Sequence, residues 1–136
     1  MPPEAMFHAV SALAAVALGA WQLAAAKRGA RHRGVGYLWF AAMAATALSS
    51  FLLHGPRGFD ALGGYGWIHG LSLWTLFALA MALRAAVGRR IAAHRRWVVG
   101  AYTGLVIAGC FAFALPGRAM HELFFVTLPP LVLKGV

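Results

Sequence analysis

Four long stretches without a charged side chain alternate with short charged segments along this chain. Asp60 and Arg84 enclose 23 residues that include no Asp, Glu, Lys or Arg, and Arg33 and Arg57 enclose another 23. The remaining two stretches, of 22 and 21 residues, lie between Glu4 and Lys27 and between Arg96 and Arg118. A hydrocarbon core about 30 Å thick is crossed by about 20 apolar helical residues. The pattern therefore predicts four membrane-spanning helices.

The expected fold is all-α, an integral membrane four-helix bundle that forms a single transmembrane domain over residues 1–136. The predicted helices run over about 5–26, 37–53, 65–86 and 96–115. Aromatic side chains favour membrane interfaces. On that basis, Trp21, Tyr37, Trp39 and Trp97 mark the side of the membrane on which helix one ends.

The segment after helix four is predicted to lie at the membrane surface, as an interfacial tail over about 119–136. Leu123 to Leu133 is apolar but only 11 residues long, and Pro129-Pro130 interrupts it. A helix of that length does not cross a bilayer. The tail is therefore expected to lie along the surface or to fold back onto the bundle.

Basic residues are concentrated on one side of the predicted membrane. Nine of the twelve Lys and Arg residues fall in the loops that follow helices one and three, with no acid among them. They are Lys27, Arg28, Arg31, Arg33, Arg84, Arg89, Arg90, Arg95 and Arg96. The other side holds three basic residues (Arg57, Arg118, Lys134) against three acids (Glu4, Asp60, Glu122). The positive-inside rule then places the basic loops in the cytoplasm and both termini outside, in a bacterial inner membrane.

The formal net charge of +9 does not indicate a nucleic-acid partner, because the basic residues flank apolar helices. Anionic lipid headgroups attract such residues by about 1 kcal/mol each. Membrane lipid is therefore the expected partner. A larger membrane complex and a homo-oligomer stay open as further partners.

The spacing of several motifs indicates an internal duplication. His8 and His69 lie 61 residues apart, each near the start of an odd-numbered helix. The pairs His32-Arg33 and His94-Arg95 lie 62 apart, each after an odd-numbered helix. Two helical hairpins in tandem, each with an even number of spans, have the same orientation in the membrane. The predicted bundle is thus two tandem hairpins.

The same motifs resemble a known family, the bacterial membrane proteins called domain of unknown function 2306. The motifs are the HR-x-x-G-Y run of His32, Arg33, Gly36 and Tyr37, the HRRW run from His94 to Trp97, His8 with Gly19 and Gln22, His69, and the PGR end from Pro116 to Arg118. The resemblance covers nearly the whole chain. It implies a four-helix membrane protein and brings no established activity, so it adds no function.

Four of the six histidines fall at the predicted outer ends of the helices, on the side that also holds all three acids. The resulting candidate metal site comprises His8, His54, His69, His121, Glu4, Asp60 and Glu122. Imidazoles with carboxylates are ligands for Zn, Cu or Fe. Proton-linked function and structural capping of helix ends are the competing interpretations, because histidine is common at membrane interfaces.

The same histidines offer axial ligands for a b-type haem, whose iron takes two imidazoles. His8 and His69 are the candidate pair, because the duplication puts them across the pseudo-symmetry axis. His32, Arg33, His94 and Arg95 are assigned instead to an anion or a lipid headgroup. His8 and His32 are 24 residues apart, about 36 Å along a helix, which places the inner histidines outside the hydrocarbon and disfavours a second haem.

Taken together, the sequence favours a small multi-pass membrane protein that binds a metal ion or a b-type haem, in redox or metal handling. The alternative is a non-catalytic subunit or assembly factor that docks onto a larger membrane complex through small-residue helix faces. No catalytic residue is predicted, because no nucleophile is paired with a base and no glycine-rich phosphate loop is present. The identity of the ligand is not encoded in any motif.

Overall fold

A computed structural model describes residues 2–26, 29–53, 66–114, 121 and 125–126, with the backbone alone for Trp67 and Ile68. Within these ranges the chain forms four long helices and no strand. The helices are α1 (Pro3–Ala24), α2 (Gly29–Ser49), α3 (Trp67–Val87) and α4 (Ile91–Ala114), and a 3-10 turn, Ser50–Leu52, extends α2. All four are long and apolar enough to cross a membrane. The predicted all-α fold with four spans is confirmed.

The helices run alternately up and down the bundle. α1 packs most extensively on α2, and α3 on α4, while α2 and α3 join the two hairpins and α1 touches α4 more sparsely. At the histidine end of the bundle, α1 and α3 begin and α2 and α4 end. At the arginine end, α1 and α3 end and α2 and α4 begin. The tandem hairpins expected from the spacing of the motifs are therefore present.

Small side chains and one indole fill the middle of the bundle. The core residues are Ala15, Trp39, Met43, Ala78, Leu79 and Ala101. Trp39 is only 2% exposed, so its assignment to the membrane interface was wrong. Alanines on the neighbouring helices leave room for the ring, and close packing of small faces stabilises membrane helices. The indole Nε1 of Trp39 has no hydrogen-bond acceptor among the described residues.

One glycine allows the close approach of three helices. A Cβ added at Gly19 of α1 would lie 2.7 Å from Trp39 Nε1 and closer still to the ring of Tyr102 on α4. Real Cβ atoms do not approach other atoms so closely. The Tyr102 hydroxyl donates to Val16 O at 3.3 Å, which fixes α4 against α1 at this level. The glycine is thus required where α1, α2 and α4 meet.

α2 and α4 begin earlier than the charge pattern suggested, at Gly29 and Ile91 rather than near residues 37 and 96. Arginine and alanine are good helix formers, and a helix does not need lipid to continue into the headgroup region. The basic segments were predicted as loops, because the charge pattern shows only the part of each helix that lies within the hydrocarbon. His32 and His94 consequently lie inside helices.

The turn between α3 and α4 has the hydrogen bonds of a Schellman motif. Arg90 N donates to Ala85 O at 2.8 Å and Arg89 N donates to Ala86 O at 3.0 Å. In this motif the residue after the cap is left-handed and is usually glycine. Arg89 occupies that position with φ 53°. The three-residue connection Gly88–Arg90 therefore reverses the chain tightly.

Candidate functional site

All buried polar side chains of the described residues lie in the half of the bundle towards the histidine end. They are Ser11, Thr46, Ser49, Ser50, His69 and Ser72. Burying polar groups away from water costs free energy unless they are hydrogen-bonded, and the cost is greater where lipid surrounds the protein. Their concentration at one end marks that end as the candidate site.

His8, on α1, points at the end of α2. Its Nδ1 lies 3.0 Å from Ser49 Oγ, and the Ser49 hydroxyl donates its own proton to Thr46 O at 3.1 Å. The hydroxyl therefore accepts from the ring, so Nδ1 of His8 carries a proton. In a neutral imidazole the lone pair is then on Nε2. A ligating histidine has this arrangement, with the second nitrogen donating to a neighbour.

His69, in the first turn of α3, has the opposite arrangement. The backbone N–H of Gly66 donates to His69 Nδ1 at 3.1 Å, and the N–H of His69 donates to Gly66 O at 3.0 Å. These reciprocal bonds cap the helix. Because Nδ1 accepts, the proton of the neutral ring lies on Nε2. The ring is 6% exposed and packs against the Phe51 ring at 5.6 Å between centroids.

Side-chain hydrogen bonds connect α1, α2 and α3 at the histidine end of the bundle. Ser49 bonds His8, and the next residue, Ser50, lies 2.7 Å from Ser72 through the two Oγ atoms. Ser72 follows His69 by three residues, which places the two side chains on one face of α3. We call these five residues the polar cluster. It brings α1, α2 and α3 together.

The serines of the polar cluster were missed by sequence reasoning. Ser49, Ser50 and Ser72 do not stand out in the sequence, since hydroxyls in membrane helices commonly bond to their own backbone. Ser11 and Thr75 do so here, with Oγ to Phe7 O and Oγ1 to Leu71 O, both at 2.9 Å. The adjacency of Ser49 and Ser50 at the end of a span was the available signal.

The other predicted members of the metal site are placed only in part. Glu4 lies exposed in the first turn of α1, where a carboxylate stabilises the helix dipole. The Nδ1 of His121 lies 2.9 Å from Phe113 O, near the end of α4, and its ring packs on Phe125 at 5.0 Å. His54, Asp60 and Glu122 lie outside the described residues, as does most of the interfacial tail.

Metal-ligating side chains do not form a large cluster in the described part of the chain. No three His, Cys, Asp or Glu residues come together there in a way that would hold a metal ion. The polar cluster contributes two imidazoles. The predicted seven-residue site is therefore not assembled by the residues that the structure describes, although three of its members lie outside them.

The arginine end holds the remaining two histidines of the described residues, each bonded to the partner helix of its hairpin. The Gln22 amide Nε2 donates to His32 O at 2.8 Å, and its Oε1 lies 3.3 Å from His32 Nδ1. Gly36 gives this amide room, since a Cβ there would lie 3.2 Å from Gln22 Nε2. On the second hairpin, His94 Nδ1 donates to Ala82 O at 2.9 Å.

The two residues of each His-Arg pair face different surroundings. Arg33 and Arg95 are exposed, whereas His32 and His94 are half-buried. Consecutive residues on a helix are about 100° apart around its axis, so one member of a pair faces outward when the other faces the neighbouring helix. The arginines therefore face outward, and the histidines face the bundle.

A family model described as predicted membrane protein (DUF2306) matches residues 5–132. This chain belongs to the DUF2306 family. The resemblance noted from the sequence motifs is thus confirmed. Of those motifs, Gly19, Gln22, His32 and Gly36 lie in the contacts between helices. No curated protein and no solved structure matches this DUF2306 protein.

Proposed function

We propose that this DUF2306 protein binds a b-type haem at the histidine end, with His8 and His69 as axial ligands, and serves redox or metal handling in a bacterial inner membrane. The observation that supports the proposal most is the polar cluster, in which Ser49 bonds His8 and Ser50 bonds Ser72 on the helix that carries His69. Ionisable side chains inside membrane proteins face the interior or water and mark functional sites by default.

A haem fits the described donors better than a bare ion does. A protein-bound zinc ion takes three or four protein ligands, and no such group forms among the described residues. Haem iron needs only two imidazoles from the protein, because the porphyrin supplies the other ligands. A bare Zn, Cu or Fe ion, with ligands added by His54, Asp60 or Glu122, is the competing ligand.

A haem held by His8 and His69 would supply one-electron transfer chemistry. The sequence contains no nucleophile paired with a base, which is consistent with this function. We therefore place the protein among electron carriers or metal-handling proteins and assign it no catalytic residue.

The two rings are not equally ready to ligate. His8 already donates from Nδ1 and presents the Nε2 lone pair. His69 would have to move its proton to Nδ1, and this would end the bond from the Gly66 N–H. Haem binding is therefore expected to rearrange the first turn of α3 and to speed hydrogen exchange of the Gly66 amide.

The test is an absorption spectrum with metal analysis on protein extracted in mild detergent and supplemented with haem or metal. A Soret band that is weaker in His8→Ala and in His69→Ala than in wild type supports the proposal. His121→Ala is the control, because that ring bonds the end of α4 and should leave the band intact. Absence of both a Soret band and a stoichiometric metal would remove the proposal.

The second candidate is a non-catalytic membrane subunit or assembly factor. It is favoured by one observation: each of the five described histidines uses Nδ1 in a hydrogen bond within the protein, to another helix for His8, His32 and His94, to the end of α4 for His121, and to the cap of its own helix for His69. In this case the rings are structural. Co-purification with a stable partner, unchanged by His8→Ala with His69→Ala, would support it over the haem.

A further inference from the structure

We propose that the arginine end holds a second site, in which His32 and His94 ligate a second b-type haem. The ligand class rests on the proposed function. The choice of His32 and His94 does not depend on the proposed function, because these residues lie on different helices from His8 and His69 and make different contacts. Neither histidine belongs to the polar cluster, and both were assigned from the sequence to an anion or a lipid headgroup.

The two levels of histidines are separated by less than the thickness of the hydrocarbon. Fourteen residues separate His8 from Gln22, the partner of His32, and thirteen separate His69 from Ala82, the partner of His94. Both intervals correspond to about 20 Å along a helix, against about 30 Å for the hydrocarbon core. The sequence-based distance of about 36 Å between His8 and His32 treated the chain between them as one continuous helix. In the structure α2 instead turns back alongside α1 from Gly29.

Both inner histidines begin the interior stripe of their helix. On α2 the stripe continues through Gly36, Trp39 and Met43, at spacings of four, three and four, and the last two are buried. On α4 the same spacings from His94 lead to Val98, Ala101 and Leu105, which all belong to or pack on the core. Residues with this spacing share one helix face. The two rings therefore lie on helix faces that border the same core.

Hydrogen bonds set both inner rings in the ligating tautomer. The Gln22 amide donates from Nε2 to His32 O, so Oε1 is the atom that faces the ring, and it only accepts. Ala82 O likewise only accepts. Nδ1 of both rings must therefore carry a proton, and the lone pair lies on Nε2. Donation of the second ring N–H to a carbonyl is the usual support of a metal-bound histidine.

Exposed positive charge lies at the same level of the bundle. Arg33 and Arg95 directly follow the two histidines and are exposed. Guanidinium groups bind carboxylates through paired charge-assisted hydrogen bonds, and a b-type haem carries two propionates. The arginine end thus supplies both ring nitrogens for iron and cations for the edge of the porphyrin.

The symmetry of the hairpins supports a shared ligand. His32 lies on α2 and His94 on α4, which occupy equivalent places in the two hairpins, as α1 and α3 do for His8 and His69. Each inner ring is anchored on the preceding helix of its own hairpin. Each hairpin therefore places one histidine at the arginine end, as it does with His8 and His69 at the histidine end.

The test is the number of haems per polypeptide in the purified full-length protein, supplemented with haem b and measured by pyridine haemochrome against amino-acid analysis. Wild type should bind two. His32→Phe and His94→Phe, which keep a planar ring, should each bind one, as should His8→Phe and His69→Phe. His121→Phe is the control and should bind two. Helicity and a monodisperse elution show that a variant is folded, and His32→Gln and His94→Gln replace any that is not.

The outcomes separate the two proposals. One haem per chain that survives in both folded inner variants overturns this inference and leaves the proposed function in place. One haem that is lost only in the inner variants supports the inference and contradicts the outer site. Wild-type protein that binds no haem overturns both.

Discussion

At the scale of single residues, the position of one proton decides what each histidine can bind. A carbonyl oxygen only accepts, so a ring nitrogen that faces one must donate. By this rule His32 and His94 carry a proton on Nδ1, and the hydroxyl of Ser49 places one on His8 as well. His69 accepts from a backbone N–H and stands apart. The hydrogen-bond partners of the four rings thus distinguish the histidines more clearly than the exposed fraction of each ring does.

Ser49→Ala tests the residue that orients His8. It removes the acceptor of the His8 Nδ1–H and should weaken haem binding about 10- to 100-fold, the usual effect of losing the support of a metal ligand. Haem titration followed at the Soret band measures it. Thr75→Ala is the control, because the Thr75 hydroxyl bonds only its own helix. Unchanged affinity in Ser49→Ala would show that this bond plays no part.

At the scale of the helices, close packing of α1 against α2 and α4 depends on a glycine, Gly19, which has no side chain. Gly19→Ala should destabilise the bundle by about 1–3 kcal/mol, the range for overpacking a filled core, because its Cβ would overlap Trp39 and Tyr102. Thermal unfolding in detergent, followed by circular dichroism, measures the loss.

The matched control for the packing prediction is Gly104→Ala on α4, where an added Cβ meets nothing within 4 Å. Alanine is the better helix former by about 1 kcal/mol, so this variant should be as stable as wild type or slightly more so. Equal effects of the two substitutions would contradict the proposed packing of α1 against α2 and α4.

The turn between α3 and α4 offers a stabilising substitution. Arg89 is left-handed, a conformation that costs an L-residue about 1 kcal/mol and costs glycine almost nothing. Arg89→Gly should therefore raise the stability of the bundle by up to about 1 kcal/mol in the same unfolding assay. Arg90→Gly, beside it and without a positive φ, should give no gain. A lower stability of Arg89→Gly would show that its side chain matters more than its backbone.

The charge pattern predicted the four spans but not the residues at which the helices begin. It located four spans because lipid excludes charge along about 20 residues. It did not locate the starts of α2 and α4, because Arg31, Arg33 and Arg95 are compatible with a helix outside the hydrocarbon. Contacts such as His94 with Ala82 depend on how two helices meet, and no local pattern encodes that.

At the scale of the whole molecule, the distribution of charge predicts the orientation in the membrane. Seven exposed arginines of the described residues lie at or near the arginine end: Arg31, Arg33, Arg84, Arg89, Arg90, Arg95 and Arg96. The positive-inside rule predicts that this end is cytoplasmic. The two haem levels would then face opposite sides of the membrane.

Cysteine labelling tests the orientation. In a Cys110→Ala background, Pro2→Cys should react with a membrane-impermeant maleimide in intact cells. Arg89→Cys should react only after the cells are permeabilised, because it lies in the turn at the arginine end. Labelling of Arg89→Cys in intact cells would place that end outside and reverse the assignment.

The candidate site could be predicted from the sequence only in outline. The 61-residue spacing predicts His8 and His69 as a pair; in the structure His8 bonds Ser49, and His69 lies one turn before Ser72. The burial of Trp39 and the bonds of Ser49, Ser50 and Ser72 were not predictable, because they depend on which faces of neighbouring helices meet. The same contacts between neighbouring helices determine which side of the bundle each histidine faces.

The most direct test of a haem held between two imidazoles is the electron paramagnetic resonance spectrum of the oxidised, haem-loaded protein at low temperature. Iron with two axial histidines is low-spin, and the account predicts such a signal in wild type. Replacing His8 or His69 by phenylalanine should abolish the component from the histidine end and leave that from the arginine end. A spectrum without any low-spin signal, or one identical in wild type and in both variants, would contradict the account.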